Sequence, residues 1–521
     1  MGEKVEVSKA MTYGTTEKSG GDVQSQPTKA QGKLTLRLLM SIFAAAMGSF
    51  QFGYNTGVIN APEARIKEFM NATSIARDGQ EMDVDTQTNL FAVLVAAFAI
   101  GGAVGGLLAG LWADSFGRKK GSMINALIGV GAAALLYFGR MAETYEMIIV
   151  GRLVVGFNCG LYTALAPIYL SEIASVDIRG ALGVLHQLFV VSGILISQIL
   201  GFPEILGNNA YWDVLLGLTA TPCVLQLIVM PFCPESPRYL LISKGQELAA
   251  QTVLRSLRGI DDVDGEISEM RIEAEQAQSE AKVSVIRLFK KRSLRMPLVI
   301  SIVMHLSQQL SGIVAIFYYS GNLYKGAGLD ESTATHATSG VGAVMVVMTL
   351  VTIPLMDRVG RRTLHLIGLG GMAVSSILIT VCLSLLDRVE WFKVASIAVS
   401  LLFVVFFALG PGSIPWLIVA ELFSQGPRSS AISVSVLVNW VANFCVGYAF
   451  PQMQKGLMSY SFVPFTVLII LFWIFVFMFL PETKGRTIEE ISSIWRKDED
   501  KGDKSRSGSY LVSYQKNPNN L

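Results

Sequence analysis

DSFGRKKG, residues 114–121, returns as DRVGRRT at 357–363, 243 residues further along the chain. The echo is not isolated. Glu172 and Arg179, seven apart, recur as Glu421 and Arg428 at an offset of 249, and PESPR (234–238) recurs as PETKGR (481–486) at an offset of 247. Three paired motifs at nearly one offset are hard to produce by chance. They read as a duplicated chain, two homologous halves with a hydrophilic segment between them.

Both halves are made for lipid. Of 521 residues, 51% are hydrophobic and only 16% charged, with a mean hydropathy of +0.48; a soluble chain carries roughly a quarter charged residues. Apolar runs of about 20 residues, each able to cross a bilayer as a helix, recur along it. Hydropathy read against Gly and Pro breaks predicts twelve spans, at 36–60, 88–112, 122–140, 146–170, 181–203, 211–232, 297–323, 335–356, 364–386, 394–420, 430–454 and 461–480. The organisation follows: a polar, disordered N-terminus over 1–35, a six-helix bundle over 36–232, a helical linker over 233–296, a second six-helix bundle over 297–480 and a tail over 481–521. The expected fold class is an all-α membrane protein of twelve transmembrane helices in two homologous bundles, the architecture of a transporter with its site between repeats.

Lys and Arg crowd the loops 114–121, 357–363 and 424–430, the linker and the tail. That end is therefore expected in the cytoplasm, with both termini. The first span serves as an uncleaved signal. The long loop 61–87 then lies outside and holds Asn71-Ala72-Thr73, a candidate glycosylation sequon. GGAVGGLLAG (101–110) reads as a close helix crossing. The five cysteines read as small buried apolar residues. No metal set, nucleophile–base pair or phosphate loop argues for an enzyme or a cofactor, and nothing points to nucleic acid.

Further stretches make the match specific: QFGYNTGVINAP (51–62), GRLVVGFNCGL (151–161), RGALGVLHQL (179–188), SQQLSG (307–312), GPGSIPW (410–416) and AELFSQGPR (420–428). With the repeated motifs, the sequence resembles the sugar-porter branch of the major facilitator superfamily, and within it the class I facilitative glucose transporters, from about Leu34 to Trp495. The resemblance implies a plasma-membrane carrier of small sugars working by alternating access, with the lipid bilayer as its surroundings. Arg118, Glu172, Arg179, Arg361, Arg362, Glu421 and Arg428 would form a cytoplasmic gate of ion pairs between the bundles, made when the carrier faces outward and broken when it faces inward. The blander reading of the same charges is topology alone.

A sugar is a ring of hydroxyls with weakly apolar faces, so its carrier wants neutral amides and an aromatic plane. Gln187, Gln308, Gln309, Asn439, Asn443 and Trp416 are such groups in mid-span. Some could instead glue helices together, each bond being worth about 1 kcal/mol. By the resemblance, Gln187, Gln308, Gln309, Trp416 and Asn439 bind the sugar. Phe52, Val190, Ile194, Phe317, Phe407 and Trp440 would be the walls of the site, and Tyr318 and Tyr319 its outer gate. Gly312 and the run Gly410-Pro411-Gly412 with Pro415 should break spans 7 and 10 beside it.

Four positions depart from the family pattern. Val314 and Met345 stand where class I members have asparagines, Ala408 where they have glutamate, and His305 where glucose-selective members begin QLS. Asn55 occupies the place of the aspartate of proton-coupled relatives, which points to a passive uniporter. A facilitative hexose carrier is the leading reading. A sugar-binding or sensing protein of the same fold, or one altered toward fructose, competes with it, and a proton symporter comes third.

Overall fold

The computed structural model describes residues 34–175, 178–279, 283–386, 388–486, 490–491 and 494–495. Nearly all of the N-terminus expected to be disordered, and most of the tail, lie outside these. The first half runs α1 (Leu36–Gly57), α2 (Glu63–Asp78), α3 (Val84–Phe116), α4 (Arg118–Met141), α5 (Tyr145–Ile173), α6 (Arg179–Leu200), α7 (Trp212–Gly217) and α8 (Ala220–Val229). The linker folds as α9 (Glu247–Arg258), α10 (Asp264–Ser279) and α11 (Val285–Lys290). The second half runs α12 (Arg292–Gln309), α13 (Ile313–Gly326), α14 (Glu331–Val359), α15 (Arg361–Ser384), α16 (Trp391–Leu409), α17 (Ile414–Leu422), α18 (Gln425–Leu457) and α19 (Val463–Phe479). Ten segments among the described residues are long and apolar enough to cross a membrane, and shorter apolar stretches at 185–200 and 463–479 bring the number to twelve.

The duplicated motifs turn out to build one device twice. Gly117 (φ 83°) and Gly360 (φ 99°) sit in conformations that favour glycine, and each reverses the chain between two long helices. At each turn a glutamate from the third motif answers the exposed N–H groups of the helix that follows. Glu235 accepts from the backbone of Arg118 and Lys119 at 2.9 and 3.1 Å, and Glu482 from Arg361 and Arg362 at 2.9 and 3.1 Å. A fourth repeated pair lies at the opposite end. Asp83 caps α3 through the Thr86 N–H, and Asp330 caps α14 through the Thr333 N–H. Hydrogen bonds from Thr86 and Thr333, side chain first and backbone second, hold both carboxyls below the usual range.

Close crossings follow the glycines. A methyl group on Gly101 or Gly156 would overlap a backbone carbonyl of the facing helix, Leu153 on α5 or Phe98 on α3. Between the halves, α3 packs on α18 and α6 on α14. Two differences from expectation stand out. The loop 61–87 contains α2, whose Ile66, Met70 and Thr73 form a buried stripe. The linker is solvated as expected but pinned: buried Arg258 donates to the Ile173 carbonyl at 2.7 Å and pairs with Glu266 at 2.6 Å. At its far end, the Val283 carbonyl takes the Ser430 hydroxyl at 2.7 Å.

Candidate functional site

Spans 7 and 10 are broken where Gly and Pro predicted, at Leu310–Gly312 and Gly410–Ser413. The breaks flank a cavity of about 100 Å³ at the meeting of the two halves. All five predicted binding residues line it: Gln187 from α6, Gln308 and Gln309 from α12, Trp416 from α17 and Asn439 from α18. So do the six predicted wall residues Phe52, Val190, Ile194, Phe317, Phe407 and Trp440. The lining also includes Thr56, Val191 and Ile313, which the sequence reading passed over, Gly412, which it noted as part of the break in span 10, and Asn443, which it noted as an amide.

The amides are wired to one another. Gln308 donates to the carbonyls of Pro411 and Gly412, both at 2.8 Å, and its oxygen accepts from Asn439 at 2.7 Å and Gln309 at 3.2 Å. An amide has two donors and two acceptor sites, so Gln308 is saturated. It splices the break in span 10, which makes it in part the helix glue that was the competing reading. Gln309 donates to Asn439 at 3.1 Å and accepts from Asn443 at 3.1 Å, and the Tyr318 hydroxyl donates to Asn443 at 3.3 Å. Acceptor capacity is left on Gln309 and Asn439, and a donor on Asn443. Gln187 has no hydrogen-bond partner among the described residues and stands half-buried at the cavity edge.

Tyr318 lines the cavity; Tyr319 does not. Its hydroxyl donates to the Gly447 carbonyl at 2.6 Å, and its ring packs between Phe91 and Phe450. Beyond the tyrosines, at the end away from the arginine motifs, polar groups join the halves. The Asn60 amide donates to the Phe317 carbonyl (2.9 Å) and the Ser320 hydroxyl (2.8 Å) and accepts the Gly321 N–H (3.2 Å). Asn322 donates to buried Glu63 at 2.6 Å, Gln198 accepts the Gly342 N–H at 3.1 Å, and Arg65 meets Glu331 at 3.3 Å. Apart from Phe317, named as a wall of the site, none of these clasp residues was singled out from sequence. The usable signal was polar side chains close to the ends of apolar spans.

At the arginine end, Arg118 grips Glu172 with two bonds of 2.8 Å, and Arg361 meets Glu421 at 3.2 Å while Thr483 donates to the same carboxylate at 2.6 Å. The resemblance implied a lock between halves. In this conformation these pairs close within each half, because each acid sits on a helix packed beside its own arginine. Arg362 donates to the Phe477 carbonyl at 2.5 Å and Arg428 to the Phe423 carbonyl at 3.1 Å; the Arg179 side chain lies outside the described residues. The two halves provide an internal comparison. Arg118 and Glu172 are 11% and 13% exposed, Arg361 and Glu421 19% and 28%. Glu172→Gln should therefore lower the thermal unfolding midpoint of purified protein more than Glu421→Gln, by the equivalent of about 1–2 kcal/mol; equal midpoints would contradict this.

The departures fall in three places. Val314 and Met345 line the cavity, whereas Ala408 is buried outside it. His305 is buried behind the lining, bonded to Asn439 at 3.1 Å and edge-on to Trp416. Asn55 is buried in the packing, donating to the Gln51 carbonyl and accepting from Thr219 at 2.9 Å each. Beside it, buried Arg152 donates to the Asn55 carbonyl at 3.0 Å and lies 4.4 Å from the Phe98 ring centroid. The sequon asparagine, Asn71, sits on α2 and accepts the Met82 N–H at 2.7 Å.

A neutral amide-lined cavity between two six-helix repeats defines a membrane carrier, and comparison agrees. The family described as "Sugar (and other) transporter" matches residues 41–495. Solute carrier family 2, facilitated glucose transporter member 3 of Ovis aries is 46% identical over 460 residues, 88% of this chain and 93% of that protein. Member 1 of Gallus gallus is 45% identical over 464 residues, 89% and 94% of the two chains. A partially occluded inward open conformation of the xylose transporter XylE from E. coli shares the fold, with a TM-score of 0.73 at 23% identity, covering 87% of this chain and 99% of that one. The chain belongs to the sugar transporter family and has the major facilitator fold.

Proposed function

We propose that the chain is a facilitative, uncoupled hexose carrier, most suited to glucose-type sugars, that works by alternating access in the plasma membrane. The observation that carries this is the cavity itself, whose described lining offers amides, two hydroxyls and aromatic planes and not one carboxylate. Such a lining binds neutral polyols and offers a proton nothing to titrate. The relatives named as facilitated glucose transporters support the sugar class. Gln187, Gln309, Asn439 and Asn443 contact the sugar, Trp416 stacks on it, and Tyr318 with Tyr319 covers its outer side. The bundles 36–232 and 297–480 rock about this site, with the basic end and both termini in the cytoplasm and Asn71 glycosylated outside.

The clasp around Asn60 then belongs to the outward-closed stage, and Glu172, Arg179, Glu421 and Arg428 exchange their partners when the halves close at the other end. Glu421→Gln should slow uptake while leaving folded protein in the membrane; normal uptake would reduce these charges to topology and stability. For coupling, an imposed pH gradient should drive no accumulation of hexose in sealed vesicles. Accumulation above equilibrium would overturn the uniport reading. The same vesicles separate carriage from mere binding or sensing, the reading that Val314 and Met345 favour.

A further inference from the structure

At the end of the molecule that carries the Asn60 clasp, a histidine bridges the two halves. His336 on α14 lays its ring against Phe202, on the loop that follows α6, with centroids 4.3 Å apart. Its Nε2 stands 3.7 Å from the carboxylate of Glu204 on the same loop. Glu204 also accepts the hydroxyl of Ser332, from α14, at 3.2 Å. The partners assign the tautomer. Nδ1 meets the Ser332 carbonyl, one helical turn back, at 2.7 Å, and a carbonyl can only accept, so Nδ1 carries a proton. Nε2 of the neutral ring is then a bare lone pair, and it faces an oxygen that is also an acceptor. A second proton, on Nε2, turns that approach into an ion pair.

We propose that His336 and Glu204 form a pH-sensitive latch: acid outside holds this end of the carrier shut, and alkaline medium frees it. The latch rests on the alternating-access reading, in which the halves part here when the carrier opens outward. Phe202 and Glu204 belong to the first half and His336 to the second, so opening separates them. The closed state therefore holds the Nε2 proton more tightly than the open one, and a ligand with that preference moves the population toward closure. Histidine is the side chain whose charge changes between about pH 5 and pH 8. The other charges on the elements nearby are engaged elsewhere. Glu331, on the first turn of α14, pairs with Arg65 of α2 at 3.3 Å and Lys325 of α13 at 3.0 Å, and Asp330 caps α14. Glu204 has no other cationic partner among the described residues. The latch proton stays on the outer surface and crosses nothing, so it alters the rate of opening and drives no accumulation.

The test reads how open this end is without any sugar. Thr56→Cys places a thiol in the cavity, and sealed vesicles holding the full chain meet a membrane-impermeant thiol reagent from outside at about pH 8 and about pH 5.5, near the two ends of the histidine range. Protein without the added cysteine gives the background from exposed Cys445. Dividing each rate by that of the His336→Gln background at the same pH cancels the reagent's own pH dependence. The quotient should be about threefold lower in acid, the size expected of one half-exposed ion pair. Adding Glu204→Gln should abolish the difference. His336 and Glu204 are 46% and 59% exposed, so neither substitution disturbs the core. A quotient that does not change with pH, or a fall that survives in Glu204→Gln, overturns the latch. Failure of the carrier reading shows separately, as vesicles that take up no hexose at either pH.

Discussion

Asn60→Ala should release the outer end of the carrier and shift its resting population toward the outward-open state. The Asn60 side chain makes three bonds across the halves, to the Phe317 carbonyl, the Ser320 hydroxyl and the Gly321 N–H. Two of these groups, the carbonyl of residue 317 and the N–H of residue 321, are the acceptor and donor of one helical rung, so they keep each other when Asn60 leaves. The Ser320 hydroxyl keeps Thr338 at 3.0 Å. The loss therefore falls below three full bonds, at about 2 kcal/mol, or roughly thirtyfold in the equilibrium between states. Thr56 lines the cavity below the clasp. A cysteine at that position should react with a membrane-impermeant thiol reagent, applied from outside, at least tenfold faster in the Asn60→Ala background. An unchanged rate would mean that the interfaces of α3 with α18 and α6 with α14 hold the end shut without the clasp.

What the sequence made legible was what repeats and what breaks helices. The paired motifs gave the two halves because each carries several residues in fixed order, and the structure shows why the order is fixed. Glycine turns the chain, arginine reaches the acid on a neighbouring helix, and the third motif's glutamate covers the new N-terminus. Asp83 and Asp330 repeat in the same way, but a lone cap residue in a polar loop carries too little pattern to notice. The cavity lining was legible because an amide or tryptophan inside a lipid-length run is conspicuous. Its wiring was not. That Gln308 answers the carbonyls of Pro411 and Gly412, 103 and 104 residues further along, depends on two helix breaks meeting in space. The clasp was missed for the opposite reason, since Asn60 and Gln198 stand near span ends, where solvated polar residues are ordinary.

The adjacent glutamines should separate into a structural member and a binding member. Gln308 holds the carbonyls of Pro411 and Gly412 at a point where proline supplies no N–H and the helix cannot pair them itself. Gln308→Ala strips both, and with a desolvation penalty of about 1–3 kcal/mol for each unpaired buried group the protein should lose roughly 2–4 kcal/mol of stability. Its thermal unfolding midpoint in detergent should fall clearly. Gln309 is half-buried and bonded only to other side chains, Gln308, Asn439 and Asn443. Its removal frees Asn439 and Asn443 to turn, so the folded protein survives while the donor and acceptor array loses its orientation. Equilibrium glucose binding to Gln309→Ala should weaken at least tenfold with little change in the midpoint, because two charge-neutral bonds to the sugar are worth about 1–3 kcal/mol together. Measuring both quantities on both variants crosses the two roles. If Gln309→Ala binds glucose normally, the amides are helix glue throughout and the sugar sits elsewhere; if Gln308→Ala is as stable as the parent, the break in span 10 does not depend on its splice.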